Sequence, residues 1–275
     1  MKINKIATSV AIGAMVFSCA TNPFTGKKTM AFVSNDQLFP SAFAQYNQVL
    51  SENKVITGTK DAEMITRVGQ RIAVAAERYL DANGFQGYLE DYQWEYKLIE
   101  SEQVNAWCMP GGKIAFYTGI LPIAANETGI AAIMGHEVAH ALANHGQQRM
   151  SSGILQQAGG VAVAVATGNE SPEKQQMWMQ AYGLGTTLGG VLPFSRSHET
   201  EADEIGLYLM AIAGYNPEEA AELWKRMKAN SGGEAPPEFM STHPSNDSRI
   251  KNLQSLAPRA KAEAKKFGVT SFRPI

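Results

Sequence analysis

Five residues, His136-Glu137-Val138-Ala139-His140, constrain this chain more than any other stretch. On an α-helix a spacing of four puts both imidazoles on one face about one turn apart, the separation needed to grip a single metal ion. Glu137 follows the first histidine directly, so its carboxylate sits beside the ion and is placed to act as general base on the hydrolytic water. Two histidines do not complete a catalytic zinc site, which takes three protein ligands and keeps one position open. The chain has five histidines, so the search is short. On a continuous helix His145 falls about 180° from His136 and cannot share its face. The extension that supplies a third histidine would need glycine at position 143 and histidine at 146, where this chain has Ala143 and Gly146. A carboxylate from a second helix is the other solution. In Ser197-His198-Glu199-Thr200-Glu201-Ala202-Asp203, Glu199 and Asp203 share one helical face, and Glu201 points about 200° away from Glu199. Glu199 is thus the candidate third ligand. Asp203 is placed to hold a ligand histidine's second nitrogen or to assist proton transfer.

The rest of the chain supplies context. Lys+Arg 24 against Asp+Glu 26, with no basic block, excludes nucleic acid as the partner and leaves a polypeptide or a ligand of small area. Residues 1–18 read as a targeting segment, with Lys2 and Lys5 ahead of an apolar run, Ile6 to Phe17, too short to span a bilayer as a permanent anchor. Val16-Phe17-Ser18-Cys19-Ala20 resembles a lipobox, which predicts lipidation of Cys19 and, with Ala20 next, delivery to an outer membrane. Cys108 is then the sole thiol left, a small core residue with no disulfide partner.

Residues 19–40 read as an extended tether, 41–260 as the globular domain and 261–275 as a basic tail. Helical periodicity predicts helices over 41–53 and 61–83. Alternation predicts strands over 92–99, 105–109 and 113–118, the last two joined by Pro110-Gly111-Gly112. A helix capped by Asn126 carries the two histidines and is expected to run to about Met150. Ile154 to Thr167 is apolar but interrupted upstream by Gln156 and Gln157, and is expected to form a helix packed beside the site rather than a membrane span. Further helices are expected over 173–192, ended by Pro193, then 198–213, 218–229 and 247–256.

The two histidines followed about sixty residues later by Glu199-x-x-x-Asp203 resemble the M48 family of gluzincin metallopeptidases, and the lipobox with Asn22-Pro23-x-Thr25-Gly26 resembles its bacterial outer-membrane lipoprotein branch. The resemblance implies an α+β, mainly helical, zincin-like domain with a small sheet of three or four strands beside the HExxH helix. It implies one Zn2+ per chain on His136, His140 and Glu199, with Glu137 as general base and Asp203 as an active-site acid. Asn105, Ala106 and Trp107 resemble the family's substrate-side strand, whose edge would pair with an extended substrate backbone. Thr242-His243-Pro244 resembles its late histidine motif, in which His243 donates to the oxyanion or closes the resting site as a fourth ligand. The expected function is a zinc endopeptidase acting on unfolded or misassembled envelope proteins, lipid-anchored at the outer membrane and facing the periplasm. The alternative is a non-hydrolytic, chaperone-like factor with a structural metal. Glu137 favours the first, because a structural site has no use for a base beside its first ligand.

Overall fold

The computed structural model describes residues 19–230, 238–244 and 246–275, so the expected targeting segment and the loop at 231–237 lie outside the described residues. The stretch expected as a tether is folded. Strand β1 (Cys19–Thr21) pairs antiparallel with β2 (Lys28–Met30), and helix α1 (Asn35–Glu52) starts at Asn35 rather than at 41. The Gln37 side chain accepts the Ser34 backbone N–H at 3.3 Å, opening the helix ahead of Pro40, so that proline lies inside α1 instead of marking its edge.

Four strands form the main sheet: β3 (Val55–Ile56), β4 (Glu95–Ile99), β5 (Ala106–Met109) and β6 (Lys113–Tyr117), in the order β3-β4-β6-β5. β4 runs parallel to β6, and β5 closes antiparallel on β6 as the edge strand. The hairpin that makes β5 an edge depends on Gly111 and Gly112, at φ +82 and +88. That backbone region strains any residue with a Cβ, and a Cβ on Gly111 would also meet the Phe43 ring at 2.6 Å. Helix α2 (Lys60–Ala82) lies between β3 and β4 in sequence and buries Ile65, Val68, Ile72 and Ala76, as its periodicity predicts.

After a short α3 (Leu121–Ala124) comes the helix that carries the histidines, α4 (Glu127–Leu142). Asn126 caps it, its side chain accepting the Gly129 N–H at 2.8 Å. Every residue from Thr128 to Leu142 is buried, as expected of a helix apolar on all sides. Its last carbonyls are satisfied by side chains: Tyr88 donates to Leu142 at 2.9 Å and Tyr92 to Ala141 at 3.3 Å. α4 stops at Leu142, short of the expected Met150, because Asn144 adopts the left-handed region at φ +56 and redirects the chain into α5 (His145–Ala166).

α5 and α6 (Pro172–Thr186) form an antiparallel pair in contact through Gly159 and Tyr182. The pair does not pack its apolar stretch beside the site as expected. Val161 and Val165 are 64% and 76% exposed, and no residue of α6 is buried. No helix among the described residues is long and apolar enough to cross a membrane. Nor does the chain stop at Pro193: a π-helical turn, Thr187–Val191, leads straight into α7 (Leu192–Ile212).

α7 crosses α4 closely, glycine on glycine. A Cβ on Gly135 would stand 2.8 Å from the Gly206 carbonyl oxygen, and one on Gly206 would stand 2.9 Å from the His136 nitrogen. Gly206 follows Asp203 by three and Glu199 by seven, so this glycine contact presses the carboxylate-bearing face of α7 onto His136. Helices α8 (Glu219–Asn230) and α9 (Glu238–Thr242) follow. The last helix, α10 (Asp247–Lys266), continues through Pro258 well past the expected 256 and buries Ala257, Ala260 and Ala264. The expected tail is therefore helix as far as Lys266, packed on the body, and the first turn of α10 brings Arg249 to the site.

Candidate metal centre

Side chains from α4, α7 and the segment after α9 converge. His140 Nε2 lies 3.1 Å from His136 Nε2, and the Glu199 carboxylate lies 3.3 Å from each of those nitrogens. A tetrahedral ion with ligand bonds of about 2.0–2.1 Å needs its ligand atoms about 3.3–3.4 Å apart, so this triangle has the size of one face of such a site. His243 Nδ1 stands 3.2 Å from His136 Nε2 and 2.9 Å from the nearer Glu199 oxygen, over the same triangle. These four residues place one donor atom each within 4.8 Å of all the others. Three imidazole nitrogens and a carboxylate oxygen converging on one point are a donor set that fits zinc.

Toward protons alone the four groups are strongly coupled. Burial disfavours charge on His136, but the Asp203 and Glu199 carboxylates outweigh it and push its pKa up to about 9. For His140 burial wins and the pKa falls well below the ordinary imidazole value. Burial would raise Glu199, yet hydrogen bonds from His136, His140 and His243 hold it far below the carboxylate range. A negative carboxylate against two imidazoles that share one proton is a site ready to exchange that proton for a divalent ion.

Glu137 lies beside this cluster. Its Oε1 is buried without a hydrogen-bond partner and faces His243 Nε2 at 3.4 Å, while the Cys108 backbone hydrogen-bonds the carboxylate. Burial raises its pKa above that of an ordinary glutamate. The Cys108 thiol is pushed well up by burial, in keeping with an inert core residue.

The edge strand sets the approach. Tyr117 N–H donates to the Asn105 carbonyl at 3.0 Å, so in an antiparallel ladder residues 107 and 109 also face β6, and 106 and 108 face the open edge. Of those outward amides, Ala106 is covered by the Asn105 side chain at 2.9 Å and Cys108 serves Glu137. The Ala106 side chain is core, and the Trp107 ring packs edge-on against Tyr46. Of Asn105, Ala106 and Trp107, only Ala106 turns its backbone to the open edge.

The second nitrogen of each ligand histidine is also held. His136 Nδ1 faces Asp203 Oδ1 at 3.1 Å. Arg249, which the sequence reading missed, grips Asp203 with two bonds of 2.8 and 2.7 Å and reaches Glu199 at 3.2 Å, stacked 3.7 Å over the Trp224 ring. His145, excluded on the assumption of a continuous helix, is at the site after all. The break at Asn144 swings it back so that its Nδ1 meets His140 Nδ1 at 2.8 Å. His198 stacks on His145 at 4.0 Å, and Glu201 meets His145 Nε2 at 2.8 Å. Cys19 lies in β1, on an element that carries none of these groups.

The chain matches peptidase family M48 over residues 60–257. It belongs to that family. It is similar to the mitochondrial metalloendopeptidase OMA1 of Saccharomyces cerevisiae, 34% identical over 206 residues, which cover 71% of this chain and 56% of that one. The OMA1 of Schizosaccharomyces pombe is 36% identical over 177 residues, covering 64% and 50%. The beta-barrel assembly-enhancing protease of Escherichia coli is 26% identical over 175 residues, covering 60% and 34%. The chain spans about half the length, or less, of the curated relatives it matches. This corrects the expected placement at a bacterial outer membrane, since the matches at 34% and 36% identity are to mitochondrial proteins. The physical reason is that a short basic and apolar leader marks a chain for targeting without fixing its destination, and a lipobox is only a few residues long. The outer-membrane localisation is dropped.

Proposed function

We propose that this M48 protein is a zinc-dependent endopeptidase that cuts extended segments of unfolded or misassembled polypeptides. The observation that carries this reading is the triangle of His136, His140 and Glu199 donor atoms with the buried, unpartnered Glu137 oxygen beside it. Bound zinc would act as a Lewis acid on the scissile carbonyl and on water. The chain's own residues supply the rest. Glu137 takes a proton from the attacking water and returns it to the leaving amine. Asp203, anchored by Arg249, keeps the His136 ring turned with Nε2 inward. The β5 edge, which reads backbone rather than side chains, selects substrates that can be drawn out straight, a requirement unfolded chains meet. The family membership and the names of the relatives support an endopeptidase, and the retained Glu137 weighs against a purely structural metal. Metal analysis of the purified chain, coupled to cleavage of an unfolded casein-type protein, tests this. Zinc is expected to be present, and a chelator is expected to abolish cleavage until zinc is restored. Chelator-insensitive cleavage, or zinc without cleavage, would overturn the reading.

His243 occupies the space between the ligand triangle and the base, touching Glu199 and Glu137 on its two nitrogens. In this position it closes the site as a fourth ligand rather than leaving room for substrate. His243→Ala is expected to speed zinc loss to a chelator and, with zinc in excess, to raise cleavage. A variant that loses cleavage in excess zinc assigns His243 to the reaction itself, as the oxyanion donor.

A further inference from the structure

Each ligand histidine is held from behind, but the two supports differ in where they end. That of His136 ends inside the core, on Asp203 and Arg249. That of His140 leads outward: His145 Nδ1 at 2.8 Å, then from His145 Nε2 to Glu201 at 2.8 Å. Hydrogen positions follow from the chemistry. With His140 Nε2 turned to the ligand triangle, its Nδ1 carries the hydrogen and donates to His145 Nδ1, which must be bare. His145 then carries its hydrogen on Nε2 and donates it to Glu201. His145 is fully buried, and the His198 ring stacked on it at 4.0 Å opposes rotation.

The chain of contacts continues to the surface. Thr25 and Lys27 both act on the Glu201 carboxylate from the side of the β1–β2 turn. Thr25 sits in the Asn22-Pro23-Phe24-Thr25-Gly26 turn between β1 and β2, the one sequence motif that the proposed reaction does not use. The turn is rigid. Buried Asn22 accepts the Phe24 and Thr25 amides at 2.9 and 3.3 Å, and Phe24 stacks on Tyr79 at 5.1 Å. The chain after β2 is latched to α5, with Phe32 N–H on Ser151 at 3.0 Å and Gln147 on the Val33 carbonyl at 2.5 Å.

We propose that the Asn22–Gly26 turn is the outer end of a positioning relay, Thr25 to Glu201 to His145, that fixes the ligand His140 and makes zinc retention depend on the docked N-terminal ribbon. The inference rests on the zinc reading of the site. The reason a relay is needed is steric and electronic together. Without Glu201 the His145 Nε2–H is buried and unpaired, which costs free energy. Moving that hydrogen to Nδ1 would set two N–H donors against each other at the His140 contact, and His140 would have to rotate out of the triangle.

The test uses the full chain loaded with zinc, and follows release of the ion into a chromophoric chelator. Glu201→Ala is expected to release zinc about 10–100-fold faster, the usual effect of removing a partner behind a ligand. Thr25→Val, which removes only a turn hydroxyl, should act in the same direction by a smaller factor. Glu201→Gln keeps an acceptor for His145 and should stay close to the parent. Lys28→Ala, which removes an exposed contact to Thr21 on the same ribbon, should match the parent. Nitrogen NMR of the histidines gives an independent readout: His145 is expected to be protonated at Nε2 in the parent and to lose that single tautomer in Glu201→Ala. Parental release rates in both Glu201→Ala and Thr25→Val would overturn the relay, as would a His145 protonated at Nδ1 in the parent. If Glu201→Ala fails to fold, Thr25→Val decides. A parent chain that takes up no zinc overturns the metal reading instead.

Discussion

Replacing Glu137 by Gln is expected to lower cleavage of an unfolded protein by about 10²–10⁴-fold, the range typical for loss of a general base, while the bound zinc content stays that of the parent. The substitution is close to isosteric. Its amide oxygen can still accept the Cys108 backbone hydrogen bond, and none of the three ligand residues is touched. What disappears is proton affinity. The carboxylate is buried, and burial raises its pKa, bringing it nearer the value at which a base works best close to neutral pH. An amide in the same place has no such capacity. The measurement is a casein-type assay beside a zinc determination on the same preparation. Parental turnover by a zinc-loaded variant would refute the role of Glu137, and loss of zinc along with activity would show that the residue holds the site together instead.

The residues whose convergence follows from spacing were the legible ones. His136, His140, Glu199 and Asp203 lie within single helices, where four-residue intervals decide which side chains share a face. His145 illustrates the limit. A helical wheel places it opposite His136, and the inference fails only because Asn144 turns left-handed two residues after α4 ends. Nothing in the residue types around it announces that break, although asparagine is the commonest non-glycine residue to tolerate it. Pro40 misled in the same way: it lies inside α1, so reading residues up to 40 as a tether started that helix late. The Gly135–Gly206 contact was invisible because glycine within a helix carries no sign of what approaches it. For Ile154 to Thr167, apolar composition could show that the stretch was not a span, but not whether other parts of the chain cover it.

Arg249→Ala is the substitution expected to cost most in stability among those that spare the ligands. Arg249 and Asp203 are both nearly inaccessible to water, at 8% and 3% exposure, and form a two-bond pair that also braces Glu199. Truncating one partner of a buried pair strands the other charge, a loss of about 3–5 kcal/mol. The arginine also stacks on Trp224, so its removal leaves a gap against that ring. The pH dependence distinguishes the causes. In the parent, burial would raise Asp203, but Arg249 and His136 hold its pKa below that of a free aspartate. Its contribution to stability is therefore present above the unfolded aspartate value of about 3.9 and is lost only as pH falls through the lower folded value. Without Arg249 only His136 still opposes the effect of burial, and the folded pKa rises. The variant then gains stability relative to the parent as pH is lowered from 7 toward 5, because its stranded carboxylate takes up a proton. Chemical denaturation across that range, in chelator so that zinc does not contribute, reads the difference directly. A gap between parent and variant that stays constant with pH would show that the loss comes from the Trp224 packing and not from the charge on Asp203.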